Sequence, residues 1–200
     1  MTIRRGEQWG EVVERPDALF EAPDDAAVAA HLAGGDGRPV LVTGGDLLRT
    51  LGGRPTDGRV RRFPVDLLRV TLDGTTQLPA IAHVVVRRAG RRGWWRGPLW
   101  AACNVGAIGP WDVAPRAHPN DGRLDVVHVA ASMSVRARAQ ARRRLASGSH
   151  LPHPDISVAR GTTVVWRPEP AAVVIVDGTP PQRAAEVAVT VEPDAGVVHV

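Results

Sequence analysis

The sequence predicts a mainly β fold of the α+β class, an antiparallel β-sandwich with one or two helices and a short N-terminal strand-turn-helix module. Three observations support this fold. From about residue 59 the chain alternates apolar runs rich in β-forming residues with turns that contain Gly or Pro. One Arg- and Ala-rich segment of helical composition interrupts these runs. The first 55 residues differ, because an Ala-rich segment there is followed by a glycine-flanked apolar run.

The N-terminal module spans residues 1–55. In PDDAAVAAHLA, either Asp24 or Asp25 is the expected N-cap of a helix that ends at Gly34 and Gly35. The following run, RPVLVTGGDLLRTLGG, is typical of a short strand, a glycine turn and a brief helix that a second glycine pair ends.

The β-rich domain spans residues 59–200. Its one expected helix, SVRARAQARRRLASG, begins at Ser132 or Ser134 and ends at Gly148. The arginines lie all round this helix, so we expect most of its surface to be exposed. The expected strands are PVDLLRVTLDG, QLPAIAHVVVRR, GPLWAACNVGAI, LDVVHVAA, DISVARG, TTVVWRP, AAVVIVDG, EVAVTVEP and GVVHV.

The composition is that of a folded domain. A hydrophobic content of 44% over 200 residues is enough for a core, and the net charge is +4. All 25 basic residues are Arg, which fits either anionic ligands or a GC-rich coding bias, and we do not expect nucleic acid as a partner. The one cysteine, Cys103, is expected to be buried, in a reducing compartment. Without a signal-peptide pattern or a run of membrane-spanning length, the protein is expected to be cytoplasmic.

Two glycines and an acid precede a predicted helix in VTGGDLLRT. A strand followed by Gly44, Gly45 and Asp46 is typical of the start of a phosphate-binding loop, in which backbone N–H groups approach the phosphates. The alternative is a turn in which Asp46 caps the helix. The pattern leaves both interpretations open.

The segment RRAGRRGWWRGPLW concentrates arginines and tryptophans around glycines. This composition suits an anionic bilayer surface, with Trp in the interface and Arg on the phosphates. It equally suits a solvated hairpin in which Trp95 or Trp100 anchors the core.

Two further motifs have both a structural and a chemical interpretation, and a third has a structural one. His150 and His153 lie in a proline-containing segment that is more typical of a structural loop than of a metal site. Asp177 ends an apolar strand, where its carboxylate is either a turn residue or a general base whose pKa burial raises. HPNDGRLDVV is typical of a hairpin turn.

Several segments in a fixed order carry a family resemblance: FPVDLLRVTLDG, CNVGAIGPWDVAPRAHPNDGRLDVVHV, the helix, GSHLPHPDISV, a strand ending VDG, and EVAVTVEPDAGVVHV. As a set they resemble the C-terminal β-rich domain of the diacylglycerol kinase family of soluble lipid kinases, within the NAD kinase-like superfamily. The resemblance covers about residues 60–200.

The resemblance implies a catalytic base. In that family an Asp-Gly-Glu sequence near the C-terminus supplies the proposed base for the lipid hydroxyl. Asp177 matches its Asp, whereas Thr179 replaces its Glu and removes a carboxylate from the transfer site.

The resemblance also implies a nucleotide site and a metal site. The family's Gly-Gly-Asp-Gly-Thr loop binds ATP phosphates, and its cofactor-binding positions correspond to Gly44, Gly45, Asp46 and Asn104. A family turn associated with structural magnesium corresponds to Asn120-Asp121-Gly122. It implies a Mg²⁺ site at Asp121 and the nearby Asp125, because oxygen ligands on a tight turn suit this ion.

We expect a catalytically degenerate domain, because about 55 residues are too few for the family's nucleotide-binding domain and Leu47 and Leu48 replace the loop's Gly-Thr. Such a domain would bind an anionic lipid or a nucleotide-like ligand, or complement a separate nucleotide-binding partner. It could also bind peripherally at the inner membrane surface. The alternatives are an active ATP-dependent lipid kinase and a non-enzymatic oligomerisation module that forms a homo-oligomer.

Overall fold

The computed structural model describes residues 9–52 and 58–200, so parts of the predicted N-terminal module, residues 1–8 and 53–55, lie outside the described residues. The helices are α1 (Asp25–Gly34), α2 (Gly45–Leu51) and α3 (Val135–Leu145). The strands are β1 (Glu11–Glu14), β2 (Phe20–Ala22), β3 (Val40–Val42), β4 (Arg59–Leu72), β5 (Thr76–Ala80), β6 (His83–Arg87), β7 (Leu99–Cys103), β8 (Ala107–Ile108), β9 (Trp111–Asp112), β10 (Leu124–Val129), β11 (Ile156–Gly161), β12 (Thr163–Trp166), β13 (Ala172–Val176), β14 (Gln182–Ala184) and β15 (Val187–His199).

Two large sheets form the predicted mainly β, α+β sandwich. The first has the order β1-β4-β15-β3-β2, with β12 paired to β15 and β5 paired to β4. The second has the order β11-β10-β7-β6-β13-β14, and β8 and β9 form a small separate pair. Most pairings are antiparallel, but β3 runs parallel to both β15 and β2.

The main core lies between the two sheets. It contains alternate residues of the long strands β4 and β15 and, from the second sheet, residues such as Val84 and Val86. The residue between them, Val85, instead packs on the outer side of the second sheet with Ala101 and Val127. Because both faces are covered at the centre of this sheet, strands β6, β7 and β13 are nearly continuous apolar runs rather than alternating ones.

The N-terminal elements share a sheet with the rest of the chain. Strand β1 pairs with β4, and β3 pairs with β15. Helices α1 and α2 pack on a second core that includes Phe63, Val65 and Val198. The domain boundary near residue 55 stays a prediction, and strands from both sides of it are hydrogen-bonded together.

Several local predictions are confirmed. Asp24 is the N-cap of α1, and its carboxylate accepts a 2.8 Å hydrogen bond from the Ala27 N–H. Ser134 is the N-cap of α3, most of whose residues are exposed or half-buried. Cys103 is fully buried.

The strand boundaries differ from the prediction in three places. The run QLPAIAHVVVRR forms β5 and β6 with a bend between them, because the N–H groups of Ile81 and Ala82 bind a side chain instead of a strand. The run GPLWAACNVGAI likewise divides into β7 and β8. In contrast, EVAVTVEP and GVVHV belong to one strand, β15, whose register shifts between Glu192 and Gly196. The short strands β1, β2, β9 and β14 were not predicted.

The prediction that residues 120–122 form a hairpin turn is wrong. This turn leads into β10, which pairs with β7 and β11 rather than with the strand that precedes the turn. The turn is fixed by long-range hydrogen bonds, described below. Among residues 9–52 and 58–200, no helix is long and apolar enough to cross a membrane.

Candidate functional site

Asp177 follows β13 directly and is buried, with 7% of its surface exposed. Its carboxylate accepts hydrogen bonds from the backbone N–H groups of Ile81 (2.7 Å), Ala82 (3.0 Å) and His83 (2.8 Å). Its backbone has φ +44°, and its own N–H donates to the His83 carbonyl. The side chain therefore fastens the bend between β5 and β6 to the end of β13.

Burial raises the pKa of Asp177 to about 7, although the three N–H donors act in the opposite direction and the nearby Asp25 carboxylate adds to the rise. A pKa near neutrality suits a general base. Both carboxylate oxygens already accept backbone hydrogen bonds, however, so the same side chain has a structural task. Its predicted catalytic role stays a prediction.

The predicted phosphate loop is occupied by a side chain of the protein itself. The Asp25 carboxylate accepts hydrogen bonds from the Asp46 N–H (2.7 Å) and the Leu47 N–H (3.0 Å) at the start of α2. A side chain on Gly45 would collide with this carboxylate, so the glycine serves the approach of Asp25. Phosphate oxygens do not fit at these donors while Asp25 holds them.

Asp46 does not cap its own helix. Gly44 is the N-cap of α2 and makes no side-chain bond, whereas both oxygens of Asp46 accept from the N–H of Gly109, at 3.0 and 2.9 Å. Asp46 Oδ2 lies 3.8 Å from Nδ1 of the buried His83. Burial lowers the pKa of His83 despite the nearby Asp46 carboxylate. These contacts join α2 to the second sheet.

Asn104 also contacts the bend between β5 and β6. Its Nδ2 group donates to the carbonyls of Ile81 (2.8 Å) and Asp66 (3.1 Å). Asn104 and Asp177 thus meet at the backbone of residues 81–83, and Asp46 lies beside the His83 ring. The hydrogen bonds of all three side chains go to the chain's own backbone.

The predicted metal ligands are bridged by an arginine. The guanidinium of Arg160 bonds Asp121 through Nη2, and its Nε lies 3.3 Å from Oδ1 of Asp125. Asp125 is 1% exposed, and burial raises the pKa of its carboxyl, although the Arg160 charge acts in the opposite direction. Because one cation already lies against both carboxylates, a magnesium ion does not fit between them.

No three or more His, Cys, Asp or Glu side chains within residues 9–52 and 58–200 are arranged to hold a metal ion. His153 accepts a 3.0 Å bond from the N–H of Asp155, which fits the structural interpretation of that loop.

Asp66 fixes the turn at residues 120–122, a role that was not predicted from the sequence. This fully buried carboxylate accepts from the N–H groups of Gly122 (2.7 Å) and Asp194 (2.9 Å). Burial raises the pKa of Asp66, and the neighbouring Asp194 and Asp121 carboxylates contribute to the rise. An acid inside the apolar run FPVDLLRV was the available signal, since buried acids are rare unless they are bonded.

An apolar cavity of about 440 Å³ lies on the outer side of the second sheet, under α3. Its floor includes Val85, Ala101 and Val127, and Ala141 of α3 lies over it. Two neighbouring tryptophans of the arginine-rich loop, Trp94 and Trp95, also line it. Ligand pockets have volumes of roughly 300–1,000 Å³, so this one is large enough for a small molecule.

Two arginines of α3 border the cavity in different ways. Arg138 is buried and donates to four backbone carbonyls, including those of Trp94 and Gly97, so it ties the loop to the helix. Arg142 is exposed and lies 5.8 Å from the ring centre of Trp95 and 5.2 Å from that of Trp111. Its charge is therefore held over an aromatic rim.

Solved structures show the same fold. A diacylglycerol kinase from Bacillus anthracis str. Sterne has a TM-score of 0.62 at 14% sequence identity, covering 90% of this chain and 74% of its own. A presumed diacylglycerol kinase of that strain has a TM-score of 0.63 at 15% identity, covering 90% and 76% respectively. No curated protein matches this chain.

A family model matches residues 59–200, which is the region that carries the sandwich, Asp66, Asp177 and the cavity. The model describes the YegS C-terminal NAD kinase beta sandwich-like domain. The predicted relation to diacylglycerol kinase-like proteins is confirmed. The match covers most of the chain and agrees with the fold, and the chain therefore belongs to the family of the YegS C-terminal NAD kinase beta sandwich-like domain.

Proposed function

We propose that this protein binds one long-chain lipid with an anionic headgroup, and that it does not transfer phosphate. The observation that carries the proposal is the apolar cavity under α3. The diacylglycerol kinase likeness of the fold agrees with a lipid ligand.

The lining of the cavity suits an alkyl chain. The sheet contributes aliphatic side chains such as Val85 and Val127, and the helix contributes Ala141 and Leu145. Burying each methylene of a chain against such a surface gains about 0.8 kcal/mol. A single chain of lipid length therefore has enough apolar contact for specific binding.

The border of the cavity suits a negative headgroup. Arg142 lies over two tryptophan rings, and no carboxylate within residues 9–52 and 58–200 forms an ion pair with it. A guanidinium that is not paired with a carboxylate can bind a phosphate through two parallel hydrogen bonds. The charge and the cavity together select an amphipathic anion.

The absence of phosphate transfer follows from the contacts of Asp25. Its carboxylate holds the N–H groups at the start of α2, where the family resemblance implies nucleotide phosphates. Leu47 and Leu48 also replace the small residues of that loop, and Thr179 replaces a carboxylate. Phosphoryl transfer depends on holding and neutralising the phosphates, so the rate enhancement should be lost.

The lipid-binding proposal predicts weaker lipid binding in the variant Ala141→Phe. The phenyl ring fills space that the chain needs, and losing two buried methylenes alone weakens binding about tenfold. The measurement is displacement of a fluorescent fatty acid by lysophosphatidic acid and by the matching monoacylglycerol.

We expect Ala141→Phe to weaken both lipids, and Arg142→Gln to weaken only lysophosphatidic acid. The control Gln140→Phe adds the same ring on an exposed position of α3 and should bind as the unmodified protein does. Equal affinity in Ala141→Phe and in the control would place the lipid elsewhere and refute the proposal.

A further inference from the structure

The arginines of this protein are separated from its acids along the chain. Residues 74–111 and 126–154 together contain ten of the 25 arginines and none of the 21 acidic residues, so the rest of the chain, with 15 arginines, is net negative. A coding bias toward arginine does not by itself keep acids out of these two segments. Charge segregation of this kind indicates a surface that meets a negative partner.

The structure brings the two segments together on the outer side of the second sheet. The loop between β6 and β7 and helix α3 both line the cavity there. Arg138 joins them, because its guanidinium donates to the carbonyls of Trp94 and Gly97. All of the ten arginines except Arg87 and Arg138 are exposed. We call these eight, the exposed arginines of residues 88–96 and 136–144, the arginine face.

The charge of the arginine face is not neutralised by ion pairs. None of its eight arginines forms one in the part of the chain that the structure describes, whereas Arg62 and Arg69 of the first sheet do. Two acids lie near α3, Asp112 of β9 and Asp155 just before β11. Neither is paired with an arginine of the face. The face therefore carries a large positive charge.

Exposed apolar side chains lie among these arginines in the loop and on the helix. Trp94 is 45% exposed, and Val135, the first residue of α3, is 43% exposed. Tryptophan is enriched where a membrane meets water, and arginine binds the phosphates of lipid headgroups through parallel hydrogen bonds. A nucleic acid offers the same phosphates but no apolar layer for Val135. The combination favours a bilayer, which is also the source from which a long-chain lipid would reach the cavity.

We propose that the arginine face docks on an anionic lipid bilayer. Docking needs no lipid in the cavity, so this inference goes beyond the proposed function and does not depend on it. Each arginine at the surface of an anionic membrane strengthens binding about fivefold, and several of the eight act at once. Salt screens this attraction, so binding should weaken as the ionic strength rises.

The test is cosedimentation of the protein with lipid vesicles. One set of vesicles is phosphatidylcholine alone, and the other contains about 30% phosphatidylglycerol, which gives it a negative surface. In about 0.1 M NaCl the unmodified protein should sediment only with the anionic vesicles. In about 1 M NaCl it should be released, because charges are then screened beyond about 3 Å.

Two double variants remove charge from the two halves of the arginine face. Arg91→Gln/Arg92→Gln changes the loop, and Arg143→Gln/Arg144→Gln changes α3. Each should weaken binding to the anionic vesicles about thirtyfold, the product of two losses of about fivefold. All four side chains are exposed, so the fold should be retained.

The matched control Arg59→Gln/Arg61→Gln removes the same charge from exposed positions of β4, in the first sheet, and should bind the vesicles as the unmodified protein does. Equal binding to neutral and anionic vesicles, no binding to the anionic ones, or equal losses in the control and in both double variants would each overturn the inference. Tighter binding to a single-stranded RNA than to the anionic vesicles would also overturn it, because the face would then serve a nucleic acid.

The displacement assay separates this inference from the proposed function. The four arginines changed in the double variants are outside the cavity lining, so both variants should keep their affinity for lysophosphatidic acid. If the protein binds anionic vesicles but displaces no fatty acid, the cavity function fails and docking stands. If lysophosphatidic acid binds but the vesicles do not, docking alone is refuted.

Discussion

Replacing Asp177 with alanine is expected to lower the free energy of unfolding by about 3 kcal/mol. The substitution leaves the N–H groups of Ile81, Ala82 and His83 without an acceptor in the interior, and each unpaired buried group costs about 1–3 kcal/mol. The measurement is urea denaturation at a fixed pH. The control Asp17→Ala removes an exposed carboxylate and should change stability by less than about 0.5 kcal/mol.

The same carboxylate predicts a pH dependence of stability. Its pKa in the folded protein is raised to about 7 from 3.8, so the folded state holds a proton that the unfolded state releases. This contribution to stability is complete below pH 4 and is lost as the pH rises through about 7. Within that window the slope is about 1.4 kcal/mol per pH unit, and Asp177→Ala should lack it. If Asp177→Ala lowers the free energy of unfolding by no more than Asp17→Ala does, the structural role of this carboxylate is contradicted.

Replacing Arg160 with alanine is expected to lower the free energy of unfolding by about 2–3 kcal/mol. Removing one partner of a buried ion pair costs about 3–5 kcal/mol, and the partial exposure of Arg160 reduces this figure. The buried Asp125 then lacks its cation, so its pKa should rise further. The variant should therefore lose stability more steeply than the unmodified protein as the pH rises through the pKa of Asp125.

The Arg160 variant also tests whether the guanidinium takes the place of a metal ion. The melting temperature of the unmodified protein should be the same in MgCl₂ and in EDTA. Arg160→Ala should regain part of its loss when Mg²⁺ or Ca²⁺ is added, because Asp121 and Asp125 then face each other without a cation. Arg167→Ala, which breaks an exposed pair with Glu186, is the control and should cost less than about 1 kcal/mol. A melting temperature of the unmodified protein that falls in EDTA would show that a metal is bound after all.

Local sequence patterns were sufficient for the fold class. The β-forming runs between Gly and Pro predicted the sandwich. Side-chain oxygens before the helical segments limited each helix start to two residues, of which Asp24 and Ser134 are the N-caps. These features depend on residues within one turn or one strand. The division between β5 and β6 could not be predicted, because the bend depends on Asp177, which is almost a hundred residues away.

The sequence predicted which residues belong to the candidate site, but not their hydrogen-bond partners. Asp46, Asn104 and Asp177 do lie together, yet their hydrogen bonds go to distant backbone groups that no spacing reveals. The same holds for Arg160, which reaches Asp121 across 39 positions of the chain. The cavity was missed for a related reason. It forms where one helix covers the outer face of a sheet, and the aromatic loop gave only an indirect indication of it.

Whether the protein transfers phosphate is measured with labelled ATP and monoacylglycerol or diacylglycerol, with and without Mg²⁺. We expect a background rate, equal to that of a sample without protein, because Asp25 holds the N–H groups that phosphates would need. Phosphorylation of the lipid well above background, abolished in a folded Asp177→Asn variant, would contradict it and identify the protein as a working kinase.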